Sequence, residues 1–229
     1  MSIDAFILSY KRPQNIDKVI AGIKLQSCIR NIYIFHNHPS SLKIPGVINI
    51  FSERNFGCIA RYALALLSDC KFALFVDDDI ALISDFSSRF KQLIRRKDFS
   101  VAGVFCRILS DLETDQSIYQ RSKTMHFNKD FIPVDIVTGR IHICRREYIY
   151  NIFSHSIYRK FPLSDDLVLN LSIQIATGYP SLAIPATKNE IKILEQNNSV
   201  HSRKKHYQER SDIVNYFIKI GWRPINGRL

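Results

Sequence analysis

Three consecutive carboxylates, Asp77, Asp78 and Asp79, follow directly on the apolar run Phe72-Ala-Leu-Phe-Val76. Acids packed this closely repel one another, and burying them without partners is costly. A divalent cation relieves both penalties, and hard oxygen ligands of this kind suit Mg²⁺ or Mn²⁺ shared with a phosphate. The same residues also fit a polar turn or a helix cap after a core strand, and a triple Asp alone does not decide between the two. A second acidic pair, Asp165-Asp166, precedes an apolar stretch from Leu167 to Thr177 with helical spacing, where Ser164 or Asp165 suits the N-cap. Late in the chain come His201, the basic cluster Arg203-Lys204-Lys205, and Arg210.

The elements that must hold these groups are legible in the first half. Ala5 to Tyr10, Asn31 to His36, Val47 to Phe51 and the run into the aspartates read as strands. Helical spacing over Asn15 to Leu25, with Pro13 in the first turn, and over Cys58 to Ser68 separates them. Strands alternating with helices predict an α/β fold around a mostly parallel, doubly wound sheet with flanking helices. The carboxyl ends of such strands are where open α/β sheets bind ligands, and the aspartates fall there. The second half is less regular. A helix is expected over Phe86 to Arg96 and a strand over Val101 to Ile108. Asp111 to Asp130 is polar and without a period, which predicts a loop over the site. Pro133 to Cys144 reads as strand, Gly turn, strand, and Arg145 to Phe153 as a helix. A short strand over Ser181 to Ile184 and a helix over Ser211 to Ile220 complete the reading.

Composition is that of an ordinary globular chain: 229 residues, 46% hydrophobic and 23% charged, with only 8 Gly and 8 Pro. No repeat or linker divides it, so one domain over residues 1–229 is expected. No apolar run is long enough to cross a bilayer, and MSIDAFILSYKRP carries no basic segment before its apolar run, as a secretory signal would. Five widely spaced cysteines without a CxxC pair predict reduced thiols and a cytoplasmic setting. A formal net charge of +11 and a pI of about 9.5 favour phosphate-bearing ligands, nucleic acid or peripheral association with an anionic membrane.

Taken in order, Val76-Asp77-Asp78-Asp79, then Asp165-Asp166-Leu-Val-Leu-Asn170, then His206-Tyr-Gln-Glu-Arg210-Ser-Asp-Ile-Val-Asn215 resemble the GT-A glycosyltransferases, and most of all the exostosin-like hexosaminyltransferases. The stretch from Leu109 to Pro133 matches nothing in that family. The resemblance implies a metal-dependent enzyme moving a sugar from a nucleotide sugar, a UDP-sugar above all, to a glycan or lipid-linked acceptor with retention at the anomeric carbon. Residues 1–80 would form the nucleotide-binding half. Residues 81–229, with the basic C-terminal tail, would form the acceptor-binding half. It implies Asp79 and Asp77 as ligands of Mn²⁺ or Mg²⁺, Asp77 reaching the metal or the ribose, and Asp78 beside the nucleotide. Ser9, Tyr10 and Arg12 would follow the strand where the family's base sits, with Arg54, Asn55 and Arg61 reaching the nucleotide. For Arg61 a salt bridge on its helix is an equal alternative. Asp166 would be the carboxylate near the reacting sugar or a helix cap, Arg210 the diphosphate-binding arginine, and His201 a late metal ligand or a solvated side chain.

Three alternatives remain open on sequence alone. A nucleotidyltransferase would need a Gly-rich phosphate loop after the first strand, but Ser9-Tyr-Lys-Arg-Pro13 has no glycine. A non-catalytic, basic nucleic-acid-binding protein explains the charge but not acids at the end of a buried strand. A glycosyltransferase acting on hydroxymethylated bases of viral DNA would explain both, and would have to expose or flip the base.

Overall fold

The run Phe72–Val76 is buried throughout because the sheet that holds it is covered on both faces. Phe72, Leu74 and Val76 enter one core with Ile3, Ala5 and Ile7, while Ala73 and Phe75 enter the other with Phe6. Period-2 alternation therefore vanishes from the sequence while persisting in the structure. This is a computed structural model that describes residues 2–39, 42–109, 117–194 and 205–225.

In chain order the elements are β1 (Ile3–Ser9), α1 (Pro13–Lys24), β2 (Ile29–His36), β3 (Ile48–Phe51), α2 (Ala60–Leu67), β4 (Phe72–Asp77), β5 (Ile80–Leu82) and α3 (Ser87–Arg95). There follow β6 (Val101–Gly103), β7 (Phe105–Ile108), β8 (Lys123–His126), β9 (Ile132–Val134), β10 (Ile136–Val137) and β11 (Ile141–Arg145). A 3₁₀ helix (Arg146–Ser154), α4 (Ile157–Lys160), α5 (Asp165–Thr177), β12 (Ser181–Ala183), β13 (Ile191–Ile193) and α6 (His206–Lys219) close the described chain.

The main sheet has the order β3-β2-β1-β4-β11-β6-β12-β9. The β3, β2, β1 and β4 strands are parallel, β11 lies antiparallel between β4 and β6, and β12 runs parallel to β6. Only β11 and β9 oppose the common direction, so the sheet is mostly parallel, as the strand–helix alternation predicts. One core gathers side chains of α1, α3 and β5; the other gathers those of α2, α5 and α6. A helix layer on each face makes the sheet doubly wound. No helix among the described residues is long and apolar enough to cross a membrane.

The first half follows the sequence pattern closely; the second departs from it where tertiary contact overrides local signal. The expected strand Val101 to Ile108 splits at Val104, β6 staying in the main sheet and β7 joining β8 and β10 in a small antiparallel sheet. Gly103 makes the split: a Cβ there would meet Val137 Cγ1 at 2.4 Å and the Ile141 carbonyl oxygen at 2.5 Å. Asp111 to Asp130 is not all loop, for β8 pairs with β7 from Phe105↔His126 to Ile108↔Lys123; residues 111–116 lie outside the described residues. The expected helix from Arg145 is a 3₁₀ helix, and α6 begins at His206, five residues before the apolar spacing starts.

Candidate active-site cleft

Parallel register brings the ends of β1 and β4 together, with Leu8 opposite Asp77. Beyond β1 the chain turns sharply at Lys11, whose φ of 61° lies in the left-handed region. That turn lets two groups reach one carboxylate. The Tyr10 N–H donates to Asp78 Oδ2 (2.9 Å), and Arg12 Nη1 donates to Asp78 Oδ1 (2.6 Å) and to Asp79 Oδ2 (3.3 Å). Asp77 takes Arg61 Nη1 (2.5 Å) from α2. The same guanidinium gives Nε and Nη2 to Asp165 Oδ2 at 3.2 and 2.8 Å, tying β4 to the first turn of α5.

Asp166, the next residue of α5, receives Arg210 from α6 in a two-pronged pair, Nη1 to Oδ1 (2.9 Å) and Nη2 to Oδ2 (2.8 Å). The Gly139 N–H adds a third bond to Asp166 Oδ2 (2.9 Å). A side chain at Gly139 would crowd Arg61 Nη2 at 3.1 Å and Asp166 Cβ at 3.3 Å, so glycine is what lets this turn approach. Asn170, one turn further along α5, fixes the turn from behind: its Oδ1 accepts from the Val137 N–H (3.0 Å) and its Nδ2 donates to the Val137 carbonyl (2.9 Å). Ser164 occupies the N-cap of α5 without a side-chain capping bond.

These pairings set the electrostatics. Burial pushes Asp77 up to about 7, with Arg61 opposing the rise and Asp79 and Asp165 adding to it, although 32% of its side chain still meets solvent. Burial also raises Asp78, against the Tyr10 N–H and Arg12. Burial raises Asp166 as well, but the Arg210 guanidinium more than cancels it and holds the carboxyl down at about 2. Five carboxylates, Asp77, Asp78, Asp79, Asp165 and Asp166, pair with only three guanidiniums, Arg12, Arg61 and Arg210, while Arg107 and Arg140 line the same cleft without pairing with any of them.

Among the described residues no group of three or more His, Cys, Asp or Glu is arranged to ligate a metal. The donor set nevertheless suits a Mg²⁺ or Mn²⁺ ion, which protein typically holds through one or two carboxylates, with phosphate and water completing the shell. Asp79 Oδ1 is buried and has no hydrogen-bond partner among the described residues, an orphaned acceptor in the cluster of carboxylates. Asp79 is also where the chain comes back: its carbonyl accepts from the Leu194 N–H (2.8 Å), just before the stretch that holds His201, which lies outside the described residues.

The acids lie in a cleft of about 850 Å³. Tyr10, Arg12, Asn55, Arg61, Asp77, Asp78, Asp79, Asp166 and Arg210 all line it. Two other residues singled out in the sequence do not. Ser9 is buried at the end of β1, its carbonyl accepting from the Asn37 N–H (3.0 Å). Arg54 lies exposed, its guanidinium 4.5 Å above the Phe56 ring. Sequence reasoning passed over Asn37, whose amide joins Asn55 Oδ1 (2.8 Å) to the Gly57 carbonyl (3.1 Å) and so shapes the loop after β3. The Asn37-His38-Pro39 turn after β2 was its available signal. The far wall, with Phe105, Arg107, Tyr119, His126, Arg140 and Tyr207, was missed altogether.

No family model and no curated protein sequence matches the chain. Solved structures do. GalNAc-T7 with UDP, GalNAc and Mn²⁺ is similar at a TM-score of 0.66 and 9% identity, over 85% of this chain and 44% of that one. S. aureus TarS 1-349 in complex with UDP is similar at 0.55 and 13% identity, over 82% of this chain and 59% of that one. The same TarS fragment without UDP gives 0.53. The chain thus spans about half the length of these structures. The fold is that of the GT-A glycosyltransferases, as the sequence resemblance implies. The finer resemblance to the exostosin-like family is not among what these likenesses show.

Proposed function

We propose that this chain is a metal-dependent glycosyltransferase that holds a UDP-sugar in the cleft and passes its hexose or N-acetylhexosamine to an acceptor. One observation carries the reading: a buried, unpartnered carboxylate oxygen on Asp79, at the carboxyl end of a GT-A sheet, in a cluster of five carboxylates paired with three guanidiniums. Asp79 and Asp77 would hold Mn²⁺ or Mg²⁺. When bound, the cation neutralises the diphosphate as a leaving group. Tyr10, Arg12 and Asn55 line the wall where a nucleotide would lie, and Asp78 anchors Arg12. Arg61 keeps Asp77 and Asp165 at fixed separation. Asp166, held ionised by Arg210, offers a fixed negative charge to the sugar rather than a base for its proton. Arg210 keeps its Nε clear of hydrogen-bond partners among the described residues and so retains a donor for charge developing on the diphosphate.

On this reading the acceptor is a glycan or a lipid-linked sugar, and the exostosin-like order of motifs supports retention. The net charge of +11 supports a second reading, transfer to hydroxymethylated DNA bases. Calorimetric titration of UDP with and without Mn²⁺, on wild type and Asp79→Asn, tests the core of the proposal. Mn²⁺ should tighten UDP binding at least tenfold in the wild type and have no effect in the variant. Equal UDP affinity in EDTA would refute the metal dependence, and absence of UDP binding would refute the glycosyltransferase reading. A panel of UDP-sugars then identifies the donor by its hydrolysis, and product NMR reads the anomeric outcome.

A further inference from the structure

The cleft's acidic floor is cross-braced by arginine, but its far wall is not balanced in return. Arg107 on β7 and Arg140 in the turn before β11 form no ion pair with any carboxylate among the described residues. Both are half-buried. Each is laid against an aromatic ring: the Arg107 guanidinium lies 4.7 Å from the centre of Tyr119, and that of Arg140 lies 5.1 Å from the centre of Phe105. Arg107 Nη1 is further steadied by donating to Ser122 Oγ (2.9 Å). His126 lines the same cleft. It packs edge-on against Phe105 at 5.0 Å, and burial, then Arg140, then Arg107, depress its imidazole to about 4, so it is neutral at pH 7. Two oriented, partly desolvated guanidiniums lining one cleft, neither paired with an acid, favour an anion that joins them.

We infer that Arg107 and Arg140 form a phosphate-binding acceptor subsite, and that the acceptor is a glycan bearing a phosphate ester. The proposal rests on the glycosyltransferase reading and narrows its substrate class. Guanidinium forks suit phosphate oxygens, and neither of these two is committed to an aspartate of the floor, whereas Arg210, 4.6 Å from the centre of the same Tyr119 ring, is paired with Asp166. Phe105, Tyr119 and Tyr207 give the same wall flat apolar faces on which a sugar ring can rest. A duplex does not fit a cleft of about 850 Å³ without extruding a base, so a phosphorylated glycan is favoured over DNA.

The test titrates inorganic phosphate into protein saturated with UDP and Mg²⁺, comparing wild type with Arg107→Gln, Arg140→Gln and the double variant. Thermal melting checks that each variant folds. Phosphate should bind wild type alongside UDP and lose about tenfold in affinity per arginine, the loss of roughly one charge-assisted hydrogen bond. UDP affinity should stay unchanged in all three variants. Phosphate that displaces UDP, or variants that lose UDP affinity, would hand these arginines to the donor diphosphate and overturn the proposal. Absence of saturable phosphate binding would overturn it too. Tight, steeply salt-dependent binding of duplex DNA lost in the same variants would assign the wall to nucleic acid instead. Failure of UDP to bind wild type would sink the glycosyltransferase reading itself, an outcome visible before any phosphate is added.

Discussion

Replacing Arg210 by alanine removes both guanidinium donors from Asp166 and leaves its buried carboxylate with only the Gly139 N–H from outside its own helix. The Arg210 guanidinium holds the buried Asp166 carboxyl down at about 2, below its ordinary value, so the ionised pair stabilises the fold by an amount on the order of 2 kcal/mol. A depressed carboxylate contributes that stability fully above its unfolded pKa and loses it as pH falls through the folded one, here from about 4 down to about 2. Breaking a buried pair by deleting one partner costs about 3–5 kcal/mol, because the survivor keeps its desolvation penalty. Arg210→Ala is therefore expected to lose about 3 kcal/mol at pH 7. The gap should narrow as pH falls, since Asp166 in the variant takes up a proton and no longer needs a partner. Urea unfolding from pH 7 to 3, followed by the emission of the single, buried Trp222, measures both quantities. A variant within about 0.5 kcal/mol of wild type at pH 7, or a gap independent of pH, would show that Asp166 and Arg210 are not coupled as argued.

Three further outcomes are expected. Asp166→Asn faces Arg210 with an amide that cannot accept at both positions, so it should cost about 2 kcal/mol in the same urea assay and still be folded at pH 7. Gly22→Ala would place a Cβ 2.3 Å from the Leu82 carbonyl oxygen and 2.9 Å from its nitrogen, both backbone, so α1 must shift off β5; a loss of about 1–3 kcal/mol should appear as a lowered midpoint, and an unchanged one would contradict the packing. Cys70, Cys106 and Cys144 are buried, so a thiol reagent should label at most Cys28 and Cys58 in native protein and all five after denaturation, as read by mass spectrometry.

The first half of the fold was legible because its strands are long, apolar and separated by periodic helices. β4 announces itself as a run of apolar residues into acids, and the acids then name the end of the strand. The second half was not, because its strands are set by single close contacts rather than by pattern. β6 and β7 divide where Gly103 meets β10 and β11, and β8, Lys123-Thr-Met-His126, has no apolar alternation to betray it. The site divides the same way. Most of the residues singled out reached the cleft, because carboxylates beside a buried strand constrain what must surround them. The partners of those carboxylates were not readable: Arg61 meets Asp165 across 104 residues, and Arg210 meets Asp166 across 44. The far wall draws on β7, β8, a turn and α6, and only three-dimensional proximity makes Arg107, His126 and Arg140 a group.

The placement of β11 between β4 and β6 also fixes an order of events as the chain is made. Until Ile141–Arg145 emerges, the strand that carries the aspartates has β1 on one side and nothing on the other. Its exposed edge, Phe72-Ala-Leu-Phe-Val76, is apolar, uncharged and free of proline, the composition most prone to pair with another chain. The three aspartates at its end then act as gatekeepers, since stacking copies of that strand in register would stack their negative charges. A growing chain that has released β4 but not yet β11 is thus the vulnerable intermediate, protected by the same acids that the folded chain turns to its cleft.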